Sequence, residues 1–351
     1  MLVAARGARQ GLQCLVTGAA GFIGSHVTER LVALGHRVRA VDNLSTGDEA
    51  NLAGVAGEID FVRGDLCEPV VCRRAAAGVD VVFHLAALPS VPRSLKDPWG
   101  SHAANVNATM RLLEACVEAK VRRVVYSSSS SVYGDTPVLP KTESVEPLPR
   151  SPYATSKLAG EQYVLAFARA GLLEGVALRY FNVFGPRQSP HSAYAAVIPN
   201  FLQSALDGRA AELYGDGQQT RDFTYVDNVV DANLLAASSP AEVASGWPVN
   251  VGAGTRTSLL GLIDMIRGIT GRRLPYVQHP PRPGDVRDSL ASLDRAQRLL
   301  AYHPSVSLEE GLRRTWAWFA QDSSALAKTG TDGRRGVLVS RPIERDAARR
   351  V

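Results

Sequence analysis

Hydrophobic positions follow two alternating spacings over the first half of the chain. Residues 12–17, Leu-Gln-Cys-Leu-Val-Thr, make a short apolar run that stops at Gly18, as a strand entering a turn would. Ile23, Val27, Leu31 and Leu34 then recur at helical spacing on one face, and the pattern ends at Gly35. A second apolar run, Arg37 to Val41, leads straight into Asp42. The alternation continues with strands predicted near 59–62, 79–84 and 121–126 and helices near 68–77 and 101–119. Such alternation predicts a parallel sheet covered by helices on both faces. After Tyr180 the pattern changes. Proline-containing segments, a Tyr-Gly-Asp-Gly turn at 214–217, and helices near 194–207, 227–237 and 258–270 predict a smaller lobe built partly from insertions. The serine run Ser127 to Ser131 is the one low-complexity stretch.

With 351 residues, 45% hydrophobic and 21% charged, the chain is long enough for two packed lobes with a cleft between them. No stretch approaches the ~18 uninterrupted apolar residues of a membrane span, and no apolar leader stands near the N-terminus, so a cytoplasmic protein without membrane contact is expected. Cys14, Cys67, Cys72 and Cys116 lack CxxC or metal-ligand spacing, and the seven histidines form no HxxxH pair. Buried thiols and no catalytic metal are expected. The formal charge of +5 is concentrated in the segment from Lys328 onward, whose seven basic and three acidic residues account for +4. A basic tail on a nearly neutral body reads as a solvated or disordered extension and argues against nucleic-acid binding.

Gly18, Gly21 and Gly24 stand at G-x-x-G-x-x-G spacing at the mouth of the first helix. They suit a tight turn, a backbone approach to a pyrophosphate, and close helix–strand packing, with the helix N-terminus aimed at the phosphates. Asp42, eighteen residues after Gly24, is placed to accept hydrogen bonds from adenosine ribose hydroxyls and to repel a 2′-phosphate, which favours NAD over NADP. Asp65 is read equally as an adenine contact and as a strand-end turn residue. Tyr153 and Lys157 are four residues apart, so a helix puts them on one face. A lysine ammonium and a nicotinamide cation both favour the phenolate, and the pair can act as a general base. The serine run follows the apolar strand Val124 to Tyr126, where open α/β folds bind ligands, and Ser129 is the hydroxyl best placed to share a sugar oxygen with Tyr153.

These segments, read in order, resemble the extended short-chain dehydrogenase/reductases, specifically the NAD-dependent nucleotide-sugar epimerases. The resemblance spans roughly residues 12–320 and rests on TGAAGFIGSH (17–26), VDN (41–43), GDL (64–66), HLAA (84–87), SSSSSVYG (127–134), SPYATSK (151–157), RYFNVFGPRQ (179–188), YGDGQQTRDFTYVDN (214–228) and RPGDVRDS (282–289). It is similar above all to the UDP-N-acetylglucosamine and UDP-glucose 4-epimerases. It implies an α/β fold, a Rossmann-type doubly wound parallel sheet, with residues 12–182 and 223–250 as the NAD-binding domain. Residues 183–222 and 251–325 would form a smaller, mixed α/β nucleotide-sugar lobe, and 326–351 the tail. A homodimer through the helices near 101–119 and 153–169 is also implied.

Carried over residue by residue, the resemblance assigns catalysis to Ser129, Tyr153 and Lys157. Tyr153 would take the 4-hydroxyl proton while C4 passes a hydride to NAD, and the keto sugar would turn before the hydride returns. NAD contacts are implied for Gly18, Gly21, Phe22, Ile23, Gly24, Asp42, Asn43, Asp65, Leu66, Leu85, Ala86, Ala87, Asn105, Ser127, Tyr153, Lys157 and Tyr180. The UDP-sugar would meet Ser90, Arg93, Ser129, Ser130, Asn182, Arg221, Arg282, Asp285 and Ser289, with a surface salt bridge as the plainer reading for Arg221 and Arg282. Related 4,6-dehydratases carry an Asp-Glu pair where this chain has Ser130-Ser131, and related UDP-glucuronate decarboxylases a Glu at Ser131. Serine cannot supply that acid–base chemistry, which leaves oxidation and reduction at C4. Ser289 lies where a bulky tyrosine restricts epimerases to the non-acetylated sugars, so room for an N-acetyl group is expected. The rivals are a UDP-glucuronate 4-epimerase or decarboxylase on this scaffold and a non-catalytic dinucleotide-binding protein.

Overall fold

The computed structural model describes residues 11–190, 196–281 and 286–329, with side chains as far as 321. The chain opens with β1 (Gln13–Thr17), α1 (Phe22–Ala33), β2 (Arg37–Asp42), β3 (Ile59–Arg63), α2 (Pro69–Ala76) and β4 (Val81–His84). Next come α3 (Val91–Lys96), α4 (Pro98–His102), α5 (Ala108–Glu118), β5 (Arg123–Ser129), α6 (Pro152–Arg169) and β6 (Glu174–Tyr180). Short pieces follow: β7 (Val183–Phe184), α7 (Val197–Asp207), β8 (Ala211–Tyr214), β9 (Thr220–Arg221) and β10 (Thr224–Tyr225). The chain then forms α8 (Val226–Ser238), α9 (Ala241–Ala244), β11 (Trp247–Val251), β12 (Thr257–Ser258) and α10 (Leu259–Thr270). It ends with β13 (Tyr276–His279), α11 (Asp294–Leu300) and α12 (Leu308–Thr329).

Seven strands pair in the order β11-β6-β5-β4-β1-β2-β3, every neighbouring pair parallel. This is the Rossmann-type doubly wound sheet. Strands β6 and β11, not picked out by the sequence pattern, extend it beyond β5. Side chains on adjacent strand positions point to opposite faces: Leu15 joins the core under α2, α5 and α6, while Val16 joins the core under α1 and α8. Each such fully buried Leu or Val contributes about 1.5–3 kcal/mol.

Strand order reverses between β1 and β4, so their carboxyl ends diverge and open the crevice in which such sheets bind ligands. A separate core, centred on Phe184, Phe201, Phe223, Ile263, Leu312 and Phe319, lies beneath the smaller set of elements. Its strands pair only in twos, β13 with β8, β12 with β9 and β10 with β7. Among the described residues no helix is long and apolar enough to cross a membrane.

Candidate active site

A cleft of about 970 Å³ runs from the β1–α1 turn to the smaller core, at the upper end of the roughly 300–1,000 Å³ range of ligand sites. The turn that floors it is built by close backbone contact. Gly18 has φ +67, and a Cβ there would stand 2.7 Å from Ala86 N. One on Gly24 would stand 2.0 Å from Gly18 O. No side chain caps the N-terminus of α1, so the first N–H groups and the positive dipole end face the cleft. A backbone cradle that a Cβ would fill, opening on an uncapped helix, suits the pyrophosphate of a dinucleotide. Phe22, Ile23, Leu66, Leu85 and Ala87 line the same region.

Asp42 is buried at the end of β2 and accepts from Ala20 N at 2.9 Å and Leu44 N at 2.8 Å. Burial pushes its carboxyl up, and those two N–H groups oppose the rise. A carboxylate offers about four lone-pair sites, so ribose hydroxyls still find acceptors. The turn reading of Asp65 is visible in its bonds, and its side of the cleft is the one the adenine reading requires. It closes a turn by accepting from Cys67 N at 2.8 Å and takes Asn43 Nδ2 at 3.0 Å, yet Asp65 and Asn43 both line the cleft. Burial raises its carboxyl, but the bonds from Cys67 and Asn43 outweigh this and hold it below the ordinary value.

Ser151 caps α6, accepting from Ala154 N at 3.1 Å, and Pro152 follows at the first helical position, the residue types such a start favours. Tyr153 thereby faces the cleft from the first turn and Lys157 from the next. Strand β5 delivers Ser127 to Ser129 at its carboxyl end, and a 3₁₀ turn over Ser130–Tyr133 follows. Ser129 Oγ accepts from Ser131 Oγ at 2.8 Å and Ser131 N at 3.2 Å, which leaves its proton to donate to Tyr153. Burial raises the Tyr153 phenol, and the Ser129 bond works against that rise. Burial also lowers the Lys157 ammonium to about 7, with Glu161 holding it up. Lys157 Nζ stands 4.6 Å from the centroid of the Tyr126 ring. Tyr180 lines the cleft with its hydroxyl bonded to Asn233.

The cleft is also lined by Ser90, Arg93, Ser130, Asn182, Arg221 and Ser289. Ser90 (φ +102) caps α3, accepting from Arg93 N at 3.2 Å. Asn182 (φ +29) gives Nδ2 to Asp222 O at 3.2 Å, and Arg221 Nη1 donates to the carbonyls of Thr220 and Arg287, both at 3.0 Å. The neighbouring Asp222 is spent on the backbone N–H groups of Ala253, Gly254 and Ala291, and burial lifts its carboxyl to about 6. Arg282 and Asp285, expected to meet the diphosphate and uridine ribose, lie outside the described residues.

One residue expected at the cofactor lies directly behind the cleft lining, bonded to Leu88. Asn105 does not line the cleft. Its Oδ1 accepts from Leu88 N at 2.7 Å, and its Nδ2 donates to Leu88 O at 3.2 Å and Ser156 Oγ at 2.9 Å. An amide so committed holds the loop after β4 against α6. Behind it lies a directional chain. Thr109 donates to Asn105 O at 2.7 Å and so accepts from His84 Nε2 at 2.9 Å. Thr17 accepts from Ala86 N at 3.2 Å and so donates to His84 Nδ1 at 2.7 Å. Burial, with Lys157 adding to it, lowers the imidazole to about 3 and keeps it neutral. Lys141, Arg150 and Gln188 also line the cleft without having been singled out. A long-range pairing of Lys141 N with Leu290 O, at 2.8 Å, brings Lys141 there, and no local signal marks it.

The family model described as the NAD dependent epimerase/dehydratase family matches residues 14–252. The chain is 42% identical over 316 residues to the UDP-glucose 4-epimerase of Mycolicibacterium smegmatis, covering 89% of this chain and 100% of that protein. It is 33% identical over 322 residues to the UDP-N-acetyl-alpha-D-glucosaminuronate decarboxylase of Bacillus cytotoxicus, covering 88% and 98%. Among solved structures, the UDP-N-acetylglucosamine 4-epimerase of Methanobrevibacter ruminantium, in complex with UDP-N-acetylmuramic acid, matches with a TM-score of 0.84. The two are 38% identical over 90% of this chain and 100% of that one. The chain belongs to the NAD dependent epimerase/dehydratase family, and its cofactor is NAD.

Proposed function

We propose that this protein is a UDP-sugar 4-epimerase that interconverts UDP-GlcNAc with UDP-GalNAc and accepts UDP-Glc and UDP-Gal as well. One observation carries the reading. The hydroxyls of Ser129 and Tyr153 and the ammonium of Lys157 converge on a cleft whose only described carboxylates, Asp42 and Asp65, belong to its adenosine end. Among the described residues no carboxylate stands by to take a C5 proton, so the groups present suit proton traffic at a single sugar hydroxyl.

Tyr153, as phenolate, takes the proton of the 4-hydroxyl while Ser129 holds the oxygen. Lys157 balances the phenolate charge. Bound NAD supplies the hydride acceptor and donor and a positive charge that further favours the phenolate. Once C4 is a planar carbonyl, the sugar turns, and Tyr153 returns its proton to the same oxygen as the opposite face is reduced. Arg221 lines the cleft and in this reading meets the diphosphate, since a guanidinium fork matches phosphate oxygens. Ser289, small and on the cleft wall, leaves space beside C2. A homodimer through α5 and α6 belongs to the same reading.

The experiment mixes purified protein with UDP-GlcNAc, UDP-Glc and UDP-GlcA without added NAD and resolves the products. Formation of UDP-GalNAc is expected, and no conversion of any UDP-sugar would overturn the reading. A second reading, a UDP-glucuronate 4-epimerase or decarboxylase, draws on the buried cation Lys141 in the cleft wall. Product mass separates its two forms, because decarboxylation removes carbon dioxide and epimerisation leaves the mass unchanged.

A further inference from the structure

Helix α6 carries a third residue on the stripe that bears Tyr153 and Lys157. Glu161 lies one turn beyond Lys157, on the same face by its spacing, and is fully buried. Its carboxylate is surrounded by donors. Arg179 Nη2 reaches Oε1 at 2.5 Å, Arg179 Nε reaches Oε2 at 3.0 Å, and Ser128 Oγ reaches Oε2 at 2.6 Å. Arg179 is itself buried on β6, its guanidinium 4.8 Å from the centroid of the Tyr133 ring, and its Nη1 has no hydrogen-bond partner among the described residues.

A buried ion pair is a poor way to stabilise a fold. Removing two charges from water costs several kcal/mol per ion, and apolar residues of like volume often do as well or better. This pair nevertheless sits between the strand end that bears Ser129 and the helix turn that bears Lys157. Lys157 is buried and forms no ion pair among the described residues, and Glu161 is the acid whose charge acts on it. Without a negative charge nearby, an ammonium removed from water gives up its proton. A neutral Lys157 does nothing for a phenolate.

We propose that Glu161 is a positioning residue for the reaction, keeping Lys157 protonated through its charge and tying α6 to β5 through Ser128. Arg179 keeps Glu161 ionised in its buried site, so the three residues work as one unit. The inference rests on the epimerase reading, since it concerns the Tyr153–Lys157 base.

The test compares the pH dependence of kcat for wild type, Glu161→Gln and the double variant E161L/R179M, each as the NAD-loaded enzyme with UDP-Glc and UDP-GlcNAc. The double variant guards against misfolding, because it replaces both buried charges together, and circular dichroism with thermal melting confirms that it is folded. Glu161→Gln, which leaves the Arg179 cation without its anion, is expected to lose activity at alkaline pH roughly one pH unit earlier than wild type, as Lys157 loses its proton sooner. The double variant, which removes both charges, is expected to move in the same direction by less. Absorbance of reduced nicotinamide after adding UDP-Glc should shift in parallel. A folded double variant with a lowered kcat but unmoved limbs means a structural role only and overturns the proposal. A wild type inactive on every UDP-sugar overturns the epimerase reading instead.

Discussion

The glycine turn offers the sharpest quantitative test of the cofactor site, through Gly24→Ala. A Cβ on Gly24 stands 2.0 Å from Gly18 O, 2.8 Å from Gly18 C and 3.0 Å from Ala19 Cα, whereas ordinary contact begins at 3.4 Å. Helix and turn must therefore part by about 1.4 Å. The turn has nowhere to retreat. Gly18 is already against the backbone of Leu85 and Ala86 on its other side, and Gly18 N is bonded to Val41 O at 2.8 Å. Overpacking of this kind costs about 1–3 kcal/mol, and backbone on both sides argues for the upper end. The exchange of Gly for Ala within a helix returns about 1 kcal/mol. A net loss on the order of 2 kcal/mol remains, equivalent to roughly 30-fold in NAD affinity if it falls on the bound state. The assay measures NAD released on denaturing the purified protein, together with its dissociation constant and melting temperature. Gly268→Ala is the control. It lies on the exposed side of α10 with nothing within 4 Å of the new methyl, so it should add about 1 kcal/mol of stability and leave NAD untouched. A Gly24→Ala protein with wild-type NAD content and affinity would refute the packing argument.

Three further outcomes are expected. Tyr153→Phe should still bind NAD and UDP-Glc but lose about 10²–10⁴-fold in kcat, measured by coupled assay; unchanged turnover would remove Tyr153 from the chemistry and revive a non-catalytic role. Ser289→Tyr should abolish conversion of UDP-GlcNAc while sparing UDP-Glc, and equal loss of both would sink the argument that its small side chain makes room beside C2. His84 stays neutral in the fold to about pH 3, whereas the unfolded chain takes up a proton near 6.5, so the stability it contributes is full above 6.5 and falls as pH decreases below it. The loss by pH 5 amounts to roughly 2 kcal/mol. Urea midpoints of His84→Gln should change less than those of wild type between pH 7 and pH 5.

Where the sequence spoke clearly, chemistry and position coincided within a few residues. Gly18, Gly21 and Gly24 share one turn, Asp42 ends the adjacent strand, and Tyr153 and Lys157 share one helix face, so local spacing alone carries them to the cleft. The smaller core was harder to read because its strands are two to four residues long, too short for a period to show. They exist because distant segments meet, as Ala211–Tyr214 does with Tyr276–His279.

The residues whose surroundings the sequence did not show share one cause. Lys141 reaches the cleft through a partner about 150 residues away, and Asn105 is turned from it by the Leu88 backbone, so neither fate is written in its neighbours. Glu161 and Arg179 look in the sequence like solvated charges on a helix and a strand. Their burial follows from the parallel register that sets Ser128 beside Arg179 and from α6 packing over both strands. A stripe already bearing Tyr153 and Lys157 at four-residue intervals had one physical reason to continue with an acid: a lysine sunk beneath a tyrosine needs a counter-charge from the same buried face. The spacing 153, 157, 161 therefore reads as a single device, in which the last member holds the charge on the second and the second holds the charge on the first.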